Sequence, residues 1–158
     1  MKILRFPLLL LVATMFHVLG STGANAPTDK VRGEVEFSMS PKVKTMKAGE
    51  TFEVALEYKI APGWHIGPPK TEATIPTEMD WTLPKGVKLM DAKWPELNYF
   101  GQPPGYQGKA TVRAKLQAAK DLKPDTKLSI GVRSSWQVCK GICKLGEAAR
   151  LVKVTVSK

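Results

Sequence analysis

Phe52-Glu53-Val54-Ala55-Leu56-Glu57-Tyr58-Lys59-Ile60 places a large apolar side chain at every second position. A period of two is the mark of a β-strand with one buried face. Working outward, Val31, Gly33, Val35, Phe37 and Met39 alternate with Arg32, Glu34, Glu36 and Ser38. Further strands are predicted over 78–83, 87–94, 109–116, 126–133 and 149–156, and the first strand over 31–39. Turn signals separate them: Ala48-Gly49-Glu50, Ala61-Pro62-Gly63, Leu83-Pro84-Lys85-Gly86 and Lys123-Pro124-Asp125. No stretch of helical length carries a 3.6-residue apolar stripe. Short strands with regular turns predict an all-β antiparallel sandwich. Two proline-rich segments, 66–77 and 95–108, are long for loops of a small domain. Segment 66–77 is expected only to cross a sandwich edge, whereas 95–108 is a functional candidate.

The chain has 158 residues, 43% of them apolar and 24% charged, which fits one globular domain. Lys2 and Arg5 precede an apolar run from Phe6 to Leu19, and small residues follow it up to Ala24-Asn25-Ala26. This is the pattern of a secretory signal peptide, residues 1–26, with cleavage after Ala26 or Ala24. The apolar run is shorter than the roughly 20 residues a membrane helix needs, so no span is expected after cleavage. Residues 27–158 then form the exported domain, and His65 becomes its sole histidine. Lys and Arg number 24 against 14 Asp and Glu, a net charge of +10. No basic block or aromatic RNA-binding signature accompanies that charge, so nucleic acid is not the expected partner. A monomer is expected.

Evident chemistry lies in Trp136-Gln137-Val138-Cys139-Lys140-Gly141-Ile142-Cys143-Lys144. In an exported protein these two cysteines are expected to form a disulfide. Closing a five-residue loop stabilises by only about 2 kcal/mol, against about 4.7 for a 100-residue loop. Lys140 and Lys144 are neighbours that favour a thiolate, and Gly141 suits a turn that lets the sulfurs meet. From spacing alone three uses stay open: a redox pair, a plain staple, and a soft-metal site such as a Cu(I) carrier. Met39, Met46, Met79 and Met90 are read as core filler. His65 is read as a structural residue at a strand end, which leaves no support for a hydrolase. No cofactor is predicted.

Pro62-Gly63-Trp64-His65-Ile66, Asp80-Trp81-Thr82-Leu83-Pro84-Lys85-Gly86-Val87, Trp94-Pro95 and Trp136-Gln137-Val138-Cys139, in that order, resemble the N-terminal periplasmic domain of DsbD, the thiol:disulfide interchange family. The resemblance runs over about residues 45–156 and implies an immunoglobulin-like sandwich in the periplasm. It implies a thiol–disulfide oxidoreductase passing electrons from a membrane donor to thioredoxin-like partners. In that family the second cysteine attacks, which makes Cys143 the attacking sulfur and Cys139 the resolving one. A cap loop with an aromatic followed by glycine shields the pair, so Tyr99 and Phe100 of Asn98-Tyr99-Phe100-Gly101 are the implied cap residues. Well-known members place five residues between the cysteines where this chain has three. A stand-alone module is expected, without the family's membrane and C-terminal domains. The competing class is a redox-inert binding module with a structural disulfide.

Overall fold

The computed structural model describes residues 33–158. The segment read as a signal peptide, 1–26, lies outside the described residues. Strands in chain order are β1 (Val35–Pro41), β2 (Thr45–Met46), β3 (Thr51–Ile60), β4 (His65–Ile66), β5 (Glu78–Thr82), β6 (Val87–Lys93), β7 (Lys109–Ala118), β8 (Lys127–Lys140) and β9 (Ile142–Val156). They form two sheets, one ordered β1-β3-β7-β6 and the other β2-β9-β8-β4, with β5 also paired to β8. Pairing is antiparallel except for β2 on β9. The fold is an immunoglobulin-like β-sandwich, and no helix occurs among the described residues.

Strand β3 alternates as its sequence dictates, with Phe52, Val54, Leu56, Tyr58 and Ile60 all buried. It pairs with β7 in a register that sets Leu56 opposite Val112 and Val54 opposite Ala114. The facing sheet contributes Leu128, Ile130, Val132, Trp136 and Val138 from β8, and Val154 and Val156 from β9. Each such side chain contributes about 1.5–3 kcal/mol when fully buried, so the core sits between the sheets and carries the stability.

Strand β1 starts at Val35; of the predicted strand over 31–39, residues 31–32 lie outside the described residues and Gly33-Glu34 form a turn. Strands β8 and β9 extend far past the predicted 126–133 and 149–156, and form one long hairpin that includes both cysteines. Ser134 interrupts the apolar alternation of β8, yet it points inward: its hydroxyl lies 2.6 Å from that of Tyr58 and donates to the Glu78 carbonyl at 2.9 Å. Gly146 stands opposite Trp136, where an added Cβ would meet the indole Nε1 at 2.4 Å. Only glycine therefore lets the indole lie across β9. Among the methionines, Met46 is buried, and Met39 and Met79 pack against the core. Met90 corrects the filler reading: the register shift between Leu89 and Asp91 turns it outward, 59% exposed.

Candidate redox site

The end of the β8–β9 hairpin is where the sandwich turns its chemistry outward. Val138, Trp136 and Ser134 face the core, so the odd-numbered Gln137 and Cys139 take the outer face of the sheet. Cys139 and Cys143 are directly opposed across the hairpin and form a disulfide, with Cα atoms 4.1 Å apart. Gly141, at φ 69°, closes the turn between them. Cys139 is buried, 6% exposed, while Cys143 is exposed. Ile142, just before Cys143, and Leu145, two residues after it, are exposed.

Cys139 is buried on an outer face because something covers it. Strand β4 pairs with β8 and sets His65 directly opposite Cys139, with Ile66 opposite Val138. The other edge of β4 is taken by segment 95–108: Ile66 and Tyr106 exchange backbone hydrogen bonds, each 2.9 Å. Tyr99 and Gly105 bridge next to it and close a small loop. Gly105 permits this docking, since a Cβ there would meet the Ile66 carbonyl at 2.1 Å. The Tyr99 ring stacks on the His65 imidazole, centroids 4.1 Å apart and planes 15° apart. A Cβ on Gly101 would meet the Tyr99 hydroxyl oxygen at 2.3 Å and its ring at 2.4 Å, which explains glycine close after the aromatic. Across the outer surface the order is therefore Cys143, Cys139, His65, Tyr99. Phe100 points away, 82% exposed, and is not core.

The loop is anchored from below by rings: Tyr58 stacks on Trp94 at 5.7 Å and Trp94 on Tyr106 at 5.4 Å. Burial pushes the Tyr106 phenol above its ordinary range, and that of Tyr58 further still. The same cause pushes the His65 imidazole below its usual value. Its Nε2 is sealed from solvent with no hydrogen-bond partner among the described residues.

Both lysines sit in register away from the sulfurs' face. Lys144 is opposite Val138, pairs with the Glu34 carboxylate, and holds its ammonium 4.9 Å from the centre of the Trp64 ring. Lys140, opposite Ile142, is exposed and drapes over Gly63, where a Cβ would meet its Nζ at 2.9 Å. Segment 66–77 runs beside β8: Thr77 donates to the Gly67 carbonyl at 2.7 Å, and the Ile75 amide to Gln137 at 3.4 Å. Sequence reading placed His65 at a strand end without a role beside the sulfurs, and missed Glu34. Their partners come from distant strands, and the one local signal for His65 was its place just after the Pro62-Gly63 turn. Among the described residues no group of three or more His, Cys, Asp or Glu side chains is gathered to hold a metal.

An immunoglobulin-like domain with a disulfide at the end of its long hairpin, one cysteine exposed and the other buried beside a docked aromatic loop, defines a thiol–disulfide interchange module. The family model for the N-terminal domain of the thiol:disulfide interchange protein DsbD matches residues 31–154, and the chain belongs to that family. No curated protein sequence matches the chain. Among solved structures, the N-terminal periplasmic domain of ScsB from Proteus mirabilis is similar with a TM-score of 0.55 and 16% identity, over 82% of this chain and 49% of that one. The reduced N-terminal domain of DsbD from Neisseria meningitidis gives a TM-score of 0.34 and 16% identity, over 76% and 86%. The chain thus spans about half the length of the ScsB domain structure.

Proposed function

We propose that this domain transfers reducing equivalents by disulfide exchange, from a membrane electron donor to thioredoxin-like partners. Cys143 is the sulfur that attacks a partner's disulfide, and Cys139 resolves the mixed disulfide. The observation that carries this is the asymmetry of the pair: one sulfur-bearing residue is exposed beyond the turn, the other is buried under a loop. Exchange needs a thiolate within reach of a partner and a second thiol held back to release it. Tyr99 and Phe100 form the cap, Tyr99 by covering the flank of Cys139 and Phe100 as the exposed residue a partner meets first. Lys140 contributes positive potential at the turn, and Lys144 a weaker one because Glu34 pairs with it. No cofactor takes part.

Residues 1–26 act as the cleaved signal peptide, and residues 27–158 work as a monomer in the periplasm. No helix among the described residues is long and apolar enough to cross a membrane. Cys139→Ala is expected to accumulate a mixed disulfide with a thioredoxin-like protein in cell extract, and Cys143→Ala is not. Trapping by Cys139 alone reverses the roles; trapping by neither sulfur leaves a structural disulfide.

A further inference from the structure

The resolving sulfur is buried, and a thiol must lose its proton before it can attack. Solvent is poorly placed to take that proton. The cross-strand neighbour of Cys139 is His65, on the same face of the sheet, where directly opposed antiparallel residues hold their Cβ atoms about 5 Å apart. The imidazole is itself 9% exposed, fixed from the far side by the Tyr99 ring, and its Nε2 finds no hydrogen-bond partner among the described residues. A sealed ring nitrogen without a hydrogen-bond partner is unfavourable and calls for an account. With the disulfide closed, neither sulfur has a proton to offer; with it open, Cys139 does.

We propose that His65 accepts the Cys139 proton when that sulfur resolves a mixed disulfide, and returns it in the reverse direction. The proposal rests on the exchange reading above. In the step, the Cys139 S–H proton passes to Nε2 and the Cys139 thiolate attacks the Cys143 sulfur. The Cys139–Cys143 bond forms as the Cys143–partner bond breaks. The electron pair leaves with the partner's sulfur as a thiolate, so the partner is reduced and this pair oxidised. The imidazolium gives up its proton, to the leaving partner thiolate or to solvent, while the partner still holds the docked loop aside and before Nε2 is sealed again. The titratable groups around His65 are Cys139 on β8, Cys143 on β9 and the Tyr99 phenol on the cap. Lys140 lies over the β3–β4 turn, and the Lys144–Glu34 pair lies beside Trp64. Burial holds the imidazole neutral at pH 7 in the disulfide form, ready to accept.

Two measurements test this without any partner protein, so their failure is separate from a failure of disulfide exchange. In the full chain, nuclear magnetic resonance titration of the His65 imidazole, told apart from His17 with His65→Phe, is run on the disulfide form and on the form reduced with dithiothreitol. The His65 midpoint is expected to rise on reduction, because a neighbouring thiolate favours the imidazolium. Equal midpoints in the two forms overturn the proposal. In a Cys143→Ala chain, the ultraviolet absorbance of the Cys139 thiolate is followed against pH. Adding His65→Phe, which keeps a flat ring against Tyr99, should raise the thiol's midpoint and so lower the thiolate fraction at pH 7 about tenfold. An unchanged profile in that folded variant overturns it equally.

Discussion

The two faces of β8 near its end are built by opposite rules. Facing inward, Ser134, Trp136 and Val138 are sealed by two sheets, with Trp136 meeting Tyr58 edge-on at 5.8 Å and Phe37 at 6.0 Å. Facing outward one residue on, Cys139 is covered only by a two-residue strand and a loop hung on Tyr106. The inner face has redundant packing and no chemistry. The outer face carries the sulfurs, under a cover attached to the core through Ile66 and Tyr106. In the disulfide exchange proposed above, the pair needs that separation, because its cover must move while the sulfurs stay in place.

The separation is broken most directly from inside. Trp136→Ala should cost about 3–5 kcal/mol, measured by denaturant unfolding, since it removes the largest fully buried side chain and strips the indole from above Gly146. Loss of both sulfurs should cost far less. Cys139→Ala with Cys143→Ala ought to lose no more than about 2 kcal/mol and still unfold cooperatively, because so short a loop restrains little of the unfolded chain. If the cysteine variant were the less stable of the two, the disulfide would belong to the framework and the comparison would collapse.

How far the sequence exposes each face follows the same division. Period-two alternation finds β3, β5, β6 and β7 almost to the residue, because their burial comes from their own neighbours in the pattern. The far end of the hairpin was hidden. Ser134 breaks the apolar pattern while occupying a core position, and its partner Tyr58 is 76 positions away. The cysteines were legible as chemistry, and their spacing about Gly141 as a turn. Their surroundings were not. Adjacent residues in a strand point to opposite faces, so the lysines next to each cysteine in the chain are not the groups beside it on the sheet. His65 takes that position through a strand of two residues, too short for any periodicity to reveal.

A pH dependence sharpens the comparison at a smaller scale. The His65 imidazole has its folded midpoint depressed by burial, so the unfolded chain binds the extra proton first as the medium is acidified. Stability should be unaffected above the ordinary imidazole range. It should fall as pH drops from about 6.5 towards the lowered folded midpoint, and stop falling from this cause beneath it. One proton sets a ceiling of about 1.4 kcal/mol per pH unit on that slope. His65→Phe should remove this component from the stability profile measured in the disulfide form, leaving only the carboxylate contribution at more acid pH. The same slope with and without the imidazole would place His65 in water rather than under the cap.

The smallest effects separate the two aromatics of the proposed cap. Tyr99 lies between His65 and Gly101, half-buried, and a stacked ring pair is worth about 0.5–1.5 kcal/mol beyond the area it buries. Phe100 has 82% of its surface in solvent, so its removal should change stability by less than about 0.5 kcal/mol. Their effects on access to the sulfurs should differ in the same direction. Tyr99→Ala opens the flank of Cys139, and a small alkylating reagent should modify the reduced pair several times faster than in the parent chain. Phe100→Ala should leave that rate within about twofold, since a side chain directed into solvent shields little from a small molecule. A bulky thiol reagent or a partner protein approaches across the loop tip and would register Phe100 more strongly. Comparing small and large reagents on the two variants therefore locates the cover. Should Phe100→Ala accelerate the small reagent as much as Tyr99→Ala does, the exposed ring must fold over the sulfurs in the reduced form, and the outer face would be shielded by both aromatics together.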